Sequence, residues 1–342
     1  MRSCFLAAVS AVALMGTAMA RTPTATPVAP TASDAVSSTI VDHAPVLVTG
    51  IQPGPGLWRV TKGEHVLWVM GTLSPLPRDI EWDSNAVEQA ISRSQEVLHS
   101  PALIVDADVG MFRALTLIPS ALKARRNPDG KHLEEVVPAD SYARWQVLKA
   151  RYIGRDRGIE SWRPAFAAME LYEKAIEQAG MRERSVVAGV VRDAAKQYGV
   201  PIRTVEVRIP VDNPRQALKA FAKTSLDDLD CFNRTMERIE GDLGNMIERG
   251  NAWAIGDLYR LRELPYRNQY AVCMAAFTQT GLARQLGAHD VDQRIETAWL
   301  EAARSALQRN RSTFALLPMS QLLKNNGYLS KLQAQGYEVQ EP

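Results

Sequence analysis

The amino-acid sequence predicts an α/β (α+β) fold, with a central mixed β-sheet built from the N- and C-terminal segments and a large helical insertion between them. Three observations lead to this prediction. Strand-like runs occur near both ends of the chain, a strand–loop–helix–strand order follows the first of them, and helical periodicity fills residues 110–310. Because each terminal segment holds too few strands for a sheet of its own, we expect one domain over residues 46–342.

The first predicted elements are a β-hairpin and a helix. Residues 57–60 and 65–70 are rich in Val, Leu and Trp and flank a turn-like stretch, which is typical of a hairpin. A helix then follows, for which Asp83 is the predicted N-cap. Trp82 and Val87 have the spacing of a hydrophobic staple around that cap.

The remaining elements follow from apolar spacing and from glycine and proline positions. Short strands are predicted at residues 97–98, 103–105, 200–207, 314–317 and 336–339. Helices are predicted at residues 164–179, 186–198, 226–249, 266–280, 295–309 and 327–332, the third of them interrupted by glycines. No internal repeat marks a solenoid or a propeller.

The N-terminus has the pattern of a secretory signal peptide. In residues 1–20, Arg2 precedes an apolar run over 4–15, and a small-x-small pattern predicts cleavage after Ala20. The alternative, a membrane anchor, is disfavoured because that run is too short to span a bilayer. Residues 21–45 are rich in Thr, Pro and Ala and read as a flexible tether. We therefore expect an exported, periplasmic protein with no transmembrane segment in its mature chain.

Composition excludes two broad classes of function. The chain has 342 residues, of which 46% are hydrophobic. Its net charge of only +2 gives little electrostatic attraction to the phosphate backbone of a nucleic acid. Five histidines and three cysteines, with no close pairing, are few for a metal protein. Cys4 leaves with the signal peptide. The even pair that remains, Cys231 and Cys273, favours a disulfide over two free thiols in an exported protein.

Candidate chemistry lies at strand ends, where an α/β sheet usually carries its reactive groups. Four places stand out: residues 71–74, residues 99–100, Glu206 and residues 318–321. Each signal is weak alone, since a Gly-Thr at a strand end is more often a turn. Ser74 lacks the Gly-x-Ser-x-Gly elbow of a serine nucleophile, and no phosphate-binding glycine loop occurs.

Taken together, these segments resemble the TraB/GumN family, which includes the Tiki metalloproteases. The resemblance rests on four features. They are a first strand-like segment followed by Gly-Thr, a helix that begins with Arg-Pro-Ala, a Gly-Val-Pro-Ile segment that precedes Glu206, and the pattern of the C-terminal segments. Those segments are residues 57–60, 71–72, 163–165, 199–202, 314–317, 327–329 and 336–339, together with Arg294 and Trp299. The resemblance runs from Leu57 to Val339 and implies one TraB/GumN-like domain.

The departures from the family pattern concern its metal site. The resemblance implies two Gly-x-x-His motifs whose histidines hold a divalent metal, but Ser74 and Gln321 stand in those positions. Ser100 stands where the family has a glutamate, whereas Glu206 and Arg294 match. A hydroxyl and an amide are weak ligands for Zn²⁺ or Mn²⁺, so we expect no metal ligands and no cofactor.

Three functional hypotheses remain open at this point. The first is a pseudoenzyme whose metal site has degenerated, with a non-catalytic binding or scaffolding role and a peptide or protein as its ligand. The second is a metal-dependent, peptidase-like hydrolase with a rearranged site around Glu206 and Arg294, to which His99 could contribute. The third is a periplasmic structural protein with no pocket.

Overall fold

The chain alternates short strands with helices, and its β-strands come from both ends and from the middle of the sequence. A computed structural model describes residues 50–107, 110, 114–183, 185–264, 269–288 and 290–342. The strands are β1 (Leu57–Lys62), β2 (His65–Thr72), β3 (Leu76–Pro77), β4 (Glu96–Leu98), β5 (Ala102–Asp106), β6 (Met181–Arg182), β7 (Ile202–Arg203), β8 (Glu206–Pro210), β9 (Ser312–Pro318) and β10 (Glu338–Gln340).

The helices fill the stretch between β5 and β9 and flank the sheet at both ends. They are α1 (Asn85–Ser92), α2 (Ile118–Ala124), α3 (Leu133–Val136), α4 (Ala139–Tyr152), α5 (Pro164–Gln178), α6 (Val186–Tyr198), α7 (Pro214–Lys223), α8 (Leu229–Gly241), α9 (Leu243–Ile255), α10 (Leu258–Glu263), α11 (Gln269–Thr278), α12 (Gly281–Gln285), α13 (Val291–Arg309), α14 (Met319–Leu322) and α15 (Tyr328–Gln333).

The central sheet has six strands in the order β10-β1-β2-β9-β4-β7. β1 is antiparallel to β2 and β10, whereas β2, β9, β4 and β7 run parallel. The mixed α/β fold predicted from the sequence is therefore confirmed. The insertion is not purely helical, however, because β7 comes from it. β9 lies in the middle and is buried along nearly its whole length, which explains its unbroken apolar run.

Three predicted elements are corrected by the structure. The strand expected at residues 200–207 is divided into β7 and β8, which belong to different sheets. The helix expected at residues 226–249 is two helices, α8 and α9, that meet at Asp242. The N-cap of α1 is Ser84 and not Asp83, although the Asp83 carboxylate accepts from the backbone N–H of Asn85, the first residue of the helix, at 2.9 Å.

Two large hydrophobic clusters and a small one around the Cys231–Cys273 pair support this architecture. The first lies on the central sheet, where Trp58, Leu67 and Phe314 pack with helices α1, α6 and α13. The second belongs to the helical insertion and contains Trp145 and Phe232, whose rings lie 5.5 Å apart. The insertion thus has an interior of its own.

The predicted disulfide is at bonding distance. The sulfur atoms of Cys231 on α8 and Cys273 on α11 are joined across 42 residues of chain. Of the helices in the described ranges, none is both long and apolar enough to cross a membrane. The predicted signal peptide, residues 1–20, and tether, residues 21–45, lie outside the described residues.

Candidate functional site

The candidate site lies along the edge of the sheet where the parallel strands end. β2 and β4 both run parallel to β9, which lies between them. Their carboxyl ends therefore meet at one edge, and the segments that follow these strands carry Ser74, Ser100 and Gln321. Parallel sheets usually bind their ligands at this edge, in the crevice outside the strand ends.

The end of β2 is held tightly against its neighbours. The indole Nε1 of Trp253 on α9 donates to the carbonyl oxygen of Gly71 at 2.8 Å. A Cβ at Gly71 would meet the end of the Met319 side chain, so glycine lets α14 pack closely against this strand without a shift of that side chain. Ser74 follows on the surface, and its hydroxyl donates to the carbonyl oxygen of Glu183 at 3.0 Å.

A cavity of about 570 Å³ opens at this edge, between the segments that follow β2 and β9 and the helices α9 and α10. We call it the edge cavity. Leu73 contributes from the end of β2, and Ser320 and Gln321 contribute from α14 after β9. Leu261 and Leu323 supply apolar walls. The cavity therefore combines apolar surface with neutral hydrogen-bonding groups at the strand ends.

The charged side chains that line the edge cavity are all cationic. They are Arg249, Arg262 and Lys324, and the lining residues include no Asp or Glu. Lys324 is exposed, and the described residues provide no ion pair for it. Arg262 pairs with Glu341, which lies outside the lining. Lys324 is therefore the cation of the lining whose charge the described residues leave unbalanced, whereas Asp242 and Glu341 partly balance Arg249 and Arg262.

Arg249 is the buried member of this set. Only 3% of the residue is exposed, and its guanidinium donates to the Asp242 carboxylate at 2.8 Å. Arg238 lies 3.6 Å from the same carboxylate and is also buried. Two guanidinium groups therefore share this one carboxylate, a geometry that orients Arg249 firmly beside the cavity.

Glu206 and Arg294 lie in a different place, a groove of about 450 Å³ between β8 and α13. We call it the helix–strand groove. The Glu206 carboxylate accepts from both Nε and Nη2 of Arg208, at 3.1 and 2.7 Å. The Arg294 guanidinium donates to the carbonyl oxygens of Gly287 and Arg208, at 2.6 and 3.1 Å. Glu206 and Arg294 thus share one surface.

The predicted site residues therefore fall into separate groups. Gln321 lines the edge cavity, and Glu206 and Arg294 line the helix–strand groove. Ser74 and Ser100 belong to the same sheet edge but are not among the lining residues of either. Beside Ser100, His99 is half-buried, and its Nδ1 lies 3.3 Å from the Ser100 carbonyl oxygen.

The residues at the sheet edge do not fit a divalent cation. In the described part of the chain, no group of three or more His, Cys, Asp or Glu side chains is placed to hold a metal ion. Ser74 and Gln321 are neutral and weak ligands, and three cationic side chains face the adjoining cavity.

Sequence reasoning missed the cationic lining. Arg249 lies on a helix face with Met246 and Trp253, which are buried and stand three and four residues away. A charged residue at an apolar helical position is the signal that could have identified it. Arg262 and Lys324 carry no such signal, because only the approach of α10 to the segment after β9 makes them neighbours.

This fold and this edge define a class: a mixed α/β protein whose candidate site lies at the carboxyl ends of parallel strands. The family model for the TraB/PrgY/gumN family matches residues 56–341, so the chain belongs to that family. The resemblance inferred from the sequence is confirmed. No curated protein and no solved structure matches the chain.

Proposed function

We propose that this protein is an exported, non-catalytic member of its family that binds a peptide or protein ligand through the edge cavity. In this proposal the metal site is degenerate, and an anionic group of the ligand occupies the cavity. One observation carries the proposal. The cavity beside the positions of Ser74 and Gln321 has three cationic lining residues and no acidic one.

Electrostatics favours an anion here over a metal ion. Cationic groups around a concave, partly apolar surface concentrate field lines and attract anions, and they repel Zn²⁺ and Mn²⁺ by the same effect. Lys324 contributes most to this attraction, because Asp242 and Glu341 partly balance the charges of Arg249 and Arg262. A peptide carboxylate could pair with the cations while a neighbouring apolar side chain packs on Leu261 and Leu323.

Export is supported by two independent features of the chain. Residues 1–20 have the composition of a cleavable signal peptide, and the Cys231–Cys273 pair is at disulfide-bonding distance. Disulfides persist in oxidising compartments and are rare in the cytosol. A thiol count on the denatured, unreduced protein should therefore give no free thiol from these two residues.

Metal analysis tests the degenerate site. Purified protein, dialysed against buffer without added metal, is analysed by plasma mass spectrometry for Zn and Mn. We expect far less than one metal ion per chain. A stoichiometric, dialysis-resistant metal would contradict the proposal, whatever the protein binds in addition.

Peptide binding tests the ligand. Short peptides with a free C-terminal carboxylate, and the same peptides with a C-terminal amide, serve as probes in fluorescence polarisation. We expect the free carboxylates to bind more tightly, and Lys324→Glu to weaken that binding about tenfold or more. Lys196→Glu, on the exposed face of α6, is the matched control and should bind as wild type does. Equal binding of the amides would refute the anionic contact.

A metal-dependent, peptidase-like hydrolase is the second candidate, and one observation favours it: Glu206 and Arg294 line the same groove. The Glu206 carboxylate is held there by its salt bridge to Arg208, at 2.7 Å. A mixture of fluorogenic peptides, with and without added Mn²⁺ or Zn²⁺, tests this function. Metal-dependent cleavage that Glu206→Gln abolishes would establish the hydrolase and overturn the binding proposal.

A further inference from the structure

Two helices outside both cavities form a surface of unusual composition. β5 and β8 are parallel neighbours, and α2 and α7, which follow them along the chain, pack against each other. The strand pairing therefore brings these helices side by side. A hydrogen bond joins the two segments: the Arg215 guanidinium, at the start of α7, donates to the Thr116 hydroxyl, just before α2, at 3.1 Å. We call the exposed residues of the stretches 114–126 and 213–223 the helix-pair surface.

The first half of this surface is an exposed aliphatic row. Leu115, Ile118 and Leu122 are 57%, 49% and 48% exposed. Ile118 and Leu122 lie four residues apart on one face of α2, and Leu115 lies in the segment just before this helix. Single exposed apolar side chains are common on proteins, but a row of three large ones marks a site of interaction.

The second half is cationic. Arg215, Lys219 and Lys223 are exposed and four residues apart on α7, so they form a row along that helix. Lys123 and Arg126 are exposed near the end of α2. The stretches 114–126 and 213–223 contain no Asp or Glu, although the whole chain is nearly neutral at +2. Positive charge is therefore concentrated beside the aliphatic row.

We propose that the helix-pair surface docks on an anionic lipid membrane. Aliphatic side chains would enter the boundary between headgroups and acyl chains, and the cations would meet the lipid phosphates. A protein partner would more typically be anchored by aromatic side chains in pockets. Here the exposed row is aliphatic, and both cavities described above are lined by other elements. This docking is independent of the ligand proposed for the edge cavity.

Vesicle flotation of the purified chain tests the proposal. Vesicles of mixed phosphatidylglycerol and phosphatidylcholine should bind the protein, and vesicles of phosphatidylcholine alone should bind it far more weakly. Salt should reduce the binding because it screens the charges. The double variant Lys219→Glu and Lys223→Glu should reduce the bound fraction at least about tenfold, and Leu122→Ser should also weaken binding.

The double variant Arg192→Glu and Lys196→Glu is the matched control, because it reverses two exposed cations four residues apart on α6. It should retain vesicle binding, and circular dichroism should show native helix content in both double variants. Failure of the mixed vesicles to bind wild type would overturn the proposal, as would equal loss in both double variants. Binding of poly-glutamate in place of vesicles would overturn it in favour of an acidic protein partner.

Discussion

We expect the buried carboxylate of Asp242, between α8 and α9, to contribute far more to the free energy of unfolding than the exposed carboxylate of Asp230 on α8. Asp242 accepts from Arg249 at 2.8 Å and lies 3.6 Å from Arg238, and all three side chains are at most 8% exposed. Asp242→Ala would leave two buried guanidinium groups without this partner. Removing one member of a buried ion pair costs about 3–5 kcal/mol of folding free energy.

Asp230→Ala is the internal control. Asp230 pairs with Arg234 one turn along α8 at 3.0 Å, but both side chains are more than half exposed. Such a pair contributes about 0.3–0.5 kcal/mol. Urea unfolding, followed by circular dichroism, measures both free energies of unfolding. A loss in Asp242→Ala no larger than the loss in Asp230→Ala would refute the reasoning.

Removing one buried cation at the same time provides a further check. The Asp242→Ala, Arg249→Ala double variant leaves one buried guanidinium in place of two, so it should be less destabilised than the sum of the two single variants. Additive losses would show that Asp242 acts through some effect other than charge neutralisation.

Three further predictions concern the helical insertion and the sheet edge. Replacing Cys231 and Cys273 by serine should lower the free energy of unfolding by up to about 4 kcal/mol, because the bond closes a long loop, and thermal denaturation would show the loss. Gly327→Ala should lower the free energy of unfolding by about 1–3 kcal/mol and weaken peptide binding, because its Cβ would clash with the backbone carbonyl oxygens of Gln321 and Lys324. Gly189→Ala is the control and should leave stability and binding intact, because a Cβ there meets no other atom. Burial raises the pKa of the Asp228 carboxyl, so its stabilising contribution is present below about pH 4 and is lost as the pH rises. Asp228→Asn should therefore gain stability relative to wild type between pH 3 and pH 7 in urea unfolding, and a relative loss over that range would contradict the sign.

Much of the fold could be predicted because its signals are local. The alternation and β-branched content of residues 65–70 predict β2, and the apolar spacing and terminal glycine of α6 give its bounds correctly. The division of residues 200–207 into β7 and β8 could not be predicted in this way. Both halves are strand-like, and only their pairing, with β4 and with β5, assigns them to different sheets.

The candidate site was predicted less completely than the fold. The resemblance to the family singled out Gln321, which lines the edge cavity, and the pair Glu206 and Arg294, which share a groove. The positive character of the cavity was missed. Its charge comes from Arg249 on α9 together with two side chains from other segments, and composition near +2 gives no hint of such local clustering.

By itself, the sequence determined the family, the α/β class and the cysteine pair. These properties depend on residue identity and on spacing along the chain. Only the tertiary structure decided which charges meet in the edge cavity and which rows share the helix-pair surface. The physical reason is that Coulomb attraction and apolar burial depend on distance in space, and the packing of helices and strands sets that distance between residues far apart in the chain.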